Sequence, residues 1–313
     1  MDGSGDGAQR RRLVVAIDGT QDGERALRYA APLAVRTGRS LAILHVVHQP
    51  PATAPMLPQF GAEALHAIGE GVLTEAARLA RSLAGDDAVI TQHLAEGPRA
   101  ATIVASAGSD PLVVATRAAA FQRLLTGATT VAVAARAQGP VLCVPRSWRP
   151  GGTPHGKVVV GVDGGPTSEQ VLGHAFAAAA ERGARLTVVH AWRPSGIYDA
   201  AVSSGVLAET WERHAEPVVW ACLAGHRSAY PHVEVEVLLR FTRPEVALAD
   251  EARHADLVVL GRRSEHGVLA LGTRSRALLH AGLCPVEVAP VPALAGRLPE
   301  QRQGERPEPS SRP

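Results

Sequence analysis

At 313 residues the chain is long enough for two domains of roughly 150 residues each. Hydrophobic residues make up 46% and charged residues 20%, which supports a large buried core and excludes general disorder. A net charge of +2, with only 4% aromatic residues and no sustained basic stripe, suggests neither a phosphate-tracking surface nor a base-stacking platform, so no nucleic-acid partner is expected.

In chain order, residues 1–10 read as a disordered tail. Its arginines precede an apolar run in the manner of a signal peptide. That run, Leu13 to Ile17, is five residues long and stops at Asp18, whereas a signal needs about 7 to 15. It is instead the first strand. No run approaches the ~18 apolar residues of a membrane span, so no membrane partner is expected. Cys143, Cys222 and Cys284 are far apart and odd in number, which suits a reduced, cytoplasmic chain. The histidines show no metal-ligand spacing. "GRLPEQRQGERPEPSSRP", within 292–313, has the Pro, Arg and Glu content of a disordered tail.

Between the tails the chain repeats itself. At a constant offset of 145, residues 13–47 lie over 158–192 with eleven of thirty-five positions identical, among them Asp18/Asp163, Gly19/Gly164, Gly38/Gly183 and His45/His190. The same offset carries Gly127 onto Gly272 and Pro145 onto Pro290. A single period of this kind means two copies of one unit, expected at 11–147 and 157–291. The linker, 148–156, is rich in Pro and Gly.

Within the second copy, "KVVVGVD", "RLTVVHAW", "VEVEVLL", "ADLVVLG" and "CPVEVAP" read as strands buried on both faces of a parallel sheet. Helices are predicted over 167–182, 205–228, 243–254 and 273–281. "TSEQ" at 167–170 carries a helix-start signal, and Gly38 and Gly183 sit where a left-handed C-cap belongs. Each copy is therefore an open, doubly wound α/β unit with a five-stranded parallel sheet.

Ligands of such sheets bind beyond the C-terminal strand ends, where strand order reverses. Three segments converge there: Asp18-Gly19-Thr20 or Asp163-Gly164-Gly165; the end of strand two, including Ala191; and the loop after strand four. Asp163 can accept hydrogen bonds from a ribose or an adenine amino group, or it can cap the following helix. His45 and His190, inside apolar strands, read as packing residues.

The order "VVVGVDGGPTSE", "LTVVHAW", "ADLVVLGRR", "GTRS" and "CPVEV" resembles the universal stress protein family, as a tandem of two domains covering residues 11 to 290. The resemblance implies a flavodoxin- or Rossmann-like sandwich of strand order 3-2-1-4-5, domain pairing through the last strands, and in many members ATP bound without vigorous turnover. ATP-binding members carry a loop of the form G-x-x-G-x9-G-S/T, whose glycines admit phosphates to backbone N–H groups.

This chain departs from that loop. The second copy keeps Gly261, has Ser264 for the second glycine, and reaches Gly272-Thr273 after a spacer two residues short, with Ser275 beyond. The first copy has Thr116, Ala119, Gly127 and Ala128, with Thr130 beyond. A Cβ disfavours positive φ and crowds a phosphate, so the first loop is the poorer cradle. Arg262, Arg263 and Arg274 offer either compensating positive charge or an ordinary solvated loop.

Two readings follow: a stress protein with weak or degenerate ATP or adenine-nucleotide binding, stronger in the second copy, or a non-nucleotide pair acting on an unknown protein partner. The nucleotide-site residues expected are Asp163, Gly164, Ala191, Gly261, Ser264, Gly272, Thr273 and Ser275, with Asp18, Gly127 and Thr130 in the first copy. No Ser/His/Asp set, CxxC pair or carboxylate pair at catalytic spacing appears, so enzymatic activity is not expected.

Overall fold

The computed structural model describes residues 12–48, 61–116, 128–165, 167–192, 205–262 and 271–290. The first copy runs β1 (Leu13–Ile17), α1 (Gln21–Arg36), β2 (Leu41–Val47), α2 (Ala62–Ala84), β3 (Ile90–Glu96), α3 (Arg99–Ala107), β4 (Leu112–Ala115), α4 (Ala128–Arg136) and β5 (Val141–Val144). The second repeats this order as β6 (Lys157–Val162), α5 (Thr167–Arg182), β7 (Arg185–Ala191), α6 (Gly205–Ala229), β8 (Val235–Arg240), α7 (Pro244–Ala252), β9 (Leu257–Arg262), α8 (Thr273–Ala281) and β10 (Val286–Pro290). The four helices predicted for the second copy agree with these within two residues at each end.

All ten strands form one sheet in the order β3-β2-β1-β4-β5-β10-β9-β6-β7-β8. Each half has the order 3-2-1-4-5, and every pair within a half is parallel. The central strands are apolar throughout because helices cover both faces: Leu13, Val15, Val158 and Val160 point into one core layer, Val14, Leu112, Val159 and Val258 into the other. That two-sided burial explains why the strands read as continuous apolar runs rather than alternating ones.

The halves join through β5 and β10, the only antiparallel pair in the described sheet, as the resemblance implied. Leu142 faces Glu287, Cys143 faces Val286 and Val141 faces Val288. Under the offset of 145, Leu142 and Glu287 are equivalent, while the flanking residues exchange partners symmetrically. A local two-fold axis therefore passes between Leu142 and Glu287. Pairing the two last strands leaves neither as an open edge.

The equivalence is broken at the axis. Where the first copy has Leu142, the second has Glu287, 8% exposed and 3.0 Å from His174 Nδ1 on α5. Alongside, Arg182 donates to the Tyr29 hydroxyl at 3.2 Å across the seam. A carboxylate this deep is tolerable only with such partners.

Both copies turn identically into the first helix. Gly19 and Gly164 each have φ +74°, a left-handed conformation that favours glycine. Gly38 and Gly183 close that helix with φ +64° and +58°, and Arg39 N–H and Ala184 N–H reach back to the carbonyls of Ala34 and Ala179, a Schellman-type stop. The expected side-chain cap at 167–170 takes another form: the Ser168 hydroxyl turns back to Asp163 Oδ1 at 2.8 Å. The one-turn offset from Asp163 to Ser168 makes that contact available.

Candidate functional site

Strand order reverses between β6 and β9, and a cavity of about 440 Å³ opens at their C-terminal ends. Its floor is Gly161, Leu248 and Leu260. A Cβ at Gly161 would stand 3.1 Å from Leu248 Cδ1 and 3.3 Å from Leu260 Cδ2; glycine keeps that floor low. On the β9 side lie Gly261 and the start of α8, with Gly272, Thr273, Arg274 and Ser275. On the β7 side lie Val189, His190, Ala191 and Trp192, and Asp163 stands between them at the end of β6. Pro244 and Glu245 of α7, with Thr167 and Ser168 of α5, also line it.

The structure thus brings Asp163, Ala191, Gly261, Gly272, Thr273 and Ser275 to one cavity. Gly164 stands outside its lining and serves the turn. Ser264 and Gly127 lie outside the described residues, as do Arg263 and Ala119.

Both expectations for Asp163 bear on its geometry. Oδ1 accepts the Gly165 N–H at 2.9 Å as well as the Ser168 hydroxyl, which is the local capping role. The carboxylate nevertheless borders the cavity. His190 Nδ1 lies 3.0 Å from the Val162 carbonyl, and His45 Nδ1 lies 3.1 Å from that of Ile17. A carbonyl only accepts, so in both copies Nδ1 carries the proton. These are strand-to-strand ties, as packing residues should make.

At the β9 side, Gly272 is the N-cap of α8 at φ −59° and ψ 156°, with no side chain bonded to the cap. The first-turn N–H groups of a helix carry partial positive charge and lack intrahelical acceptors. Here they face the cavity beside Arg274. Among the described residues nothing stands within 4 Å of a Cβ built on Gly272.

The first copy uses the equivalent places differently. Thr130, the counterpart of Ser275, is 8% exposed and donates its hydroxyl to the Ala115 carbonyl at 2.9 Å. Thr116, the counterpart of Gly261, has its carbonyl bonded to Arg25 of α1 at 3.1 Å. Asp18 Oδ1 accepts from the Thr20 N–H and hydroxyl at 3.1 and 2.6 Å. A Cβ at Gly23, where the second copy has Ser168, would lie 2.9 Å from that same oxygen.

Arg262 has a task that the sequence did not suggest. Its guanidinium crosses the seam to donate to the Ala137 and Ala134 carbonyls at 2.5 and 3.4 Å, among the last carbonyls of α4, which have no intrahelical donor. Burial lowers its pKa. It stabilises the first copy's helix and supplies no free charge to a phosphate.

Sequence reading also missed an aromatic group on the β7 side. Trp211 of α6 stacks on His190 (centroids 5.4 Å apart, planes at 16°) and on Trp192 (6.1 Å, 19°), and Phe241 lies 5.7 Å from Trp192 and 6.0 Å from Trp211. The offset alignment held the signal: Val47, His66 and Glu96 occupy these positions in the first copy.

No described helix is long and apolar enough to cross a membrane. Among the described residues, no group of three or more His, Cys, Asp or Glu side chains is arranged to hold a metal ion.

The sequence pattern of the universal stress protein family matches twice, at residues 9–145 and 155–290. Two universal stress proteins of Mycobacterium tuberculosis are similar along nearly their whole length. One is 30% identical over 286 residues, covering 88% of this chain and 96% of the relative. The other is 31% identical over 303 residues, covering 90% and 95%. A universal stress protein from Archaeoglobus fulgidus shares the fold at a TM-score of 0.64 and 20% identity, covering 90% of this chain and 99% of that one. Two matches of the family in tandem, on a ten-stranded sheet built from two 3-2-1-4-5 halves, place the chain in the universal stress protein family as a two-domain member.

Proposed function

We propose that the chain is a nucleotide-responsive stress protein of the cytoplasm that binds ATP, or a related adenine nucleotide, weakly and in its second domain. The carrying observation is the cavity at the β6/β9 reversal, bounded by the uncapped start of α8 on one side and the end of β7 on the other. Phosphates suit the α8 side, where Gly272, Thr273, Arg274 and Ser275 line the cavity at a helix N-terminus. The ribose suits Asp163, and the base suits the backbone near Ala191. Weakness follows from the shortened loop: each lost charge-assisted hydrogen bond costs about 1.5–3 kcal/mol.

The first domain is the poorer binder in this reading, because Thr130 and Thr116 are already engaged within the fold. Turnover is not part of it. The strand histidines are bonded to carbonyls, and burial pushes the Cys143 and Cys284 thiols up to about 12, which leaves them poor nucleophiles near neutrality.

Acid release of co-purifying nucleotide, followed by calorimetric titration with ATP, tests the reading. One site per chain is expected, weakened by Asp163→Ala and by Gly272→Val and indifferent to Asp18→Ala. Two equal sites would overturn the asymmetry. No binding at millimolar ATP would overturn nucleotide binding and favour action through a protein partner.

A further inference from the structure

We propose that the second domain holds the ring system of its ligand by stacking it on Trp192, and that this platform selects purine over pyrimidine nucleotides. The inference rests on the nucleotide reading above and adds to it a residue and a selectivity.

Trp192 borders the cavity, yet 45% of it is exposed. An indole carries a large apolar face that is normally covered. Among the described residues it is supported from behind. Trp211 lies nearly parallel to it, Phe241 is tilted against both, and His190 stacks on the far side of the group. The Val162 carbonyl fixes His190, so the stack is tied to the central strand of its half. Such a preset wall costs little ordering when a planar ligand arrives.

The contrast between the copies locates the feature. Trp192, Trp211 and Phe241 come from β7's end, α6 and the turn after β8, and touch only in the fold. In the first copy, all three positions differ together: Val47 is 8% exposed, and His66 Nε2 contacts the Glu96 carboxylate. A valine, and a small imidazole held edge-on by a carboxylate through its Nε2, offer no indole-sized flat surface. The change is confined to the side of the cavity opposite the α8 N-terminus, where a nucleotide bound by its phosphates would place its base. Stacking accepts any base, and its strength grows with the area of the π-face, so a bicyclic purine gains more than a pyrimidine.

The test uses the full chain with calorimetric titration of ATP, UTP and inorganic tripolyphosphate, for the wild type, Trp192→Ala and Trp192→Phe. Trp192 is at the surface, and unchanged urea midpoints would show that the variants fold. In the wild type, ATP is expected to bind about tenfold more tightly than UTP. Trp192→Ala should weaken ATP about tenfold or more and leave tripolyphosphate unchanged, while Trp192→Phe should retain most of the ATP affinity. ATP binding equally well to the wild type and Trp192→Ala would overturn the stacking platform and leave nucleotide binding standing. Failure of the wild type to bind any of the nucleotides would overturn the nucleotide reading, and the platform with it.

Discussion

Raising the pH from 8 to 10 should destabilise this protein through two thiols that sit next to the domain seam. Cys143, in β5, pairs across the axis with Val286, and Cys284 lies just before β10. Burial pushes the Cys143 thiol from 9.0 up to about 12. Burial, with a smaller contribution from the negative charge of Asp256, does the same for Cys284. A thiol whose folded pKa lies above its unfolded one contributes stability that is complete below the unfolded value and is lost as pH rises towards the folded value. Above pH 9 the unfolded chain releases these protons and the folded chain retains them. Above pH 9 the loss is about 1.4 kcal/mol per pH unit for each group, so both together lose roughly 3 kcal/mol between pH 8 and pH 10.

The control is Cys143→Val combined with Cys284→Ala. Valine is apt because Val288 holds the equivalent place in the second copy, and any cavity cost from either change is independent of pH. Urea unfolding under reducing conditions, extrapolated to water at pH 8 and pH 10, should show the wild type losing roughly 3 kcal/mol more than the variant. Equal losses would refute the reasoning, because they would mean that the two thiols ionise as readily in the folded protein as in the unfolded chain.

Two further outcomes follow from the geometry. Arg262→Ala removes the donor to Ala134 and Ala137 and should cost about 1–2 kcal/mol, with hydrogen exchange accelerating in α4, which belongs to the other domain; acceleration confined to the second domain would contradict the cross-seam cap. Gly164→Ala forces a Cβ into φ +74° beside Val218 Cγ1 at 3.2 Å and should cost about 1–2 kcal/mol, whereas Gly272→Ala, at φ −59°, meets no atom of the described residues within 4 Å and should leave the urea midpoint unchanged.

The amino-acid sequence by itself determined the repeat, the element order and the class of fold. Burial on both faces writes a parallel strand as an apolar run, and the offset of 145 residues survives because the two units pack the same way. The family's strand order, and the pairing of last strands, followed from the resemblance and reappear in the sheet. Several residues that line the cavity were legible too, because strand ends and glycine-bearing turns mark where a doubly wound sheet opens.

What only the tertiary structure decided is how residues distant in sequence share or divide the available partners. Arg262 looks like a loop cation in the chain, but the orphan carbonyls it satisfies belong to the other domain, 125 and 128 positions away. Thr130 and Ser275 are equivalent hydroxyls, and Thr130 spends its proton on Ala115, a contact with no local pattern. Trp192, Trp211 and Phe241 are isolated aromatic residues until β7, α6 and the end of β8 bring their rings within about 6 Å of one another. Periodicity reports which face of an element is buried; it carries no information about which side chain from another element arrives there, and that arrival is what separates the two halves of this protein.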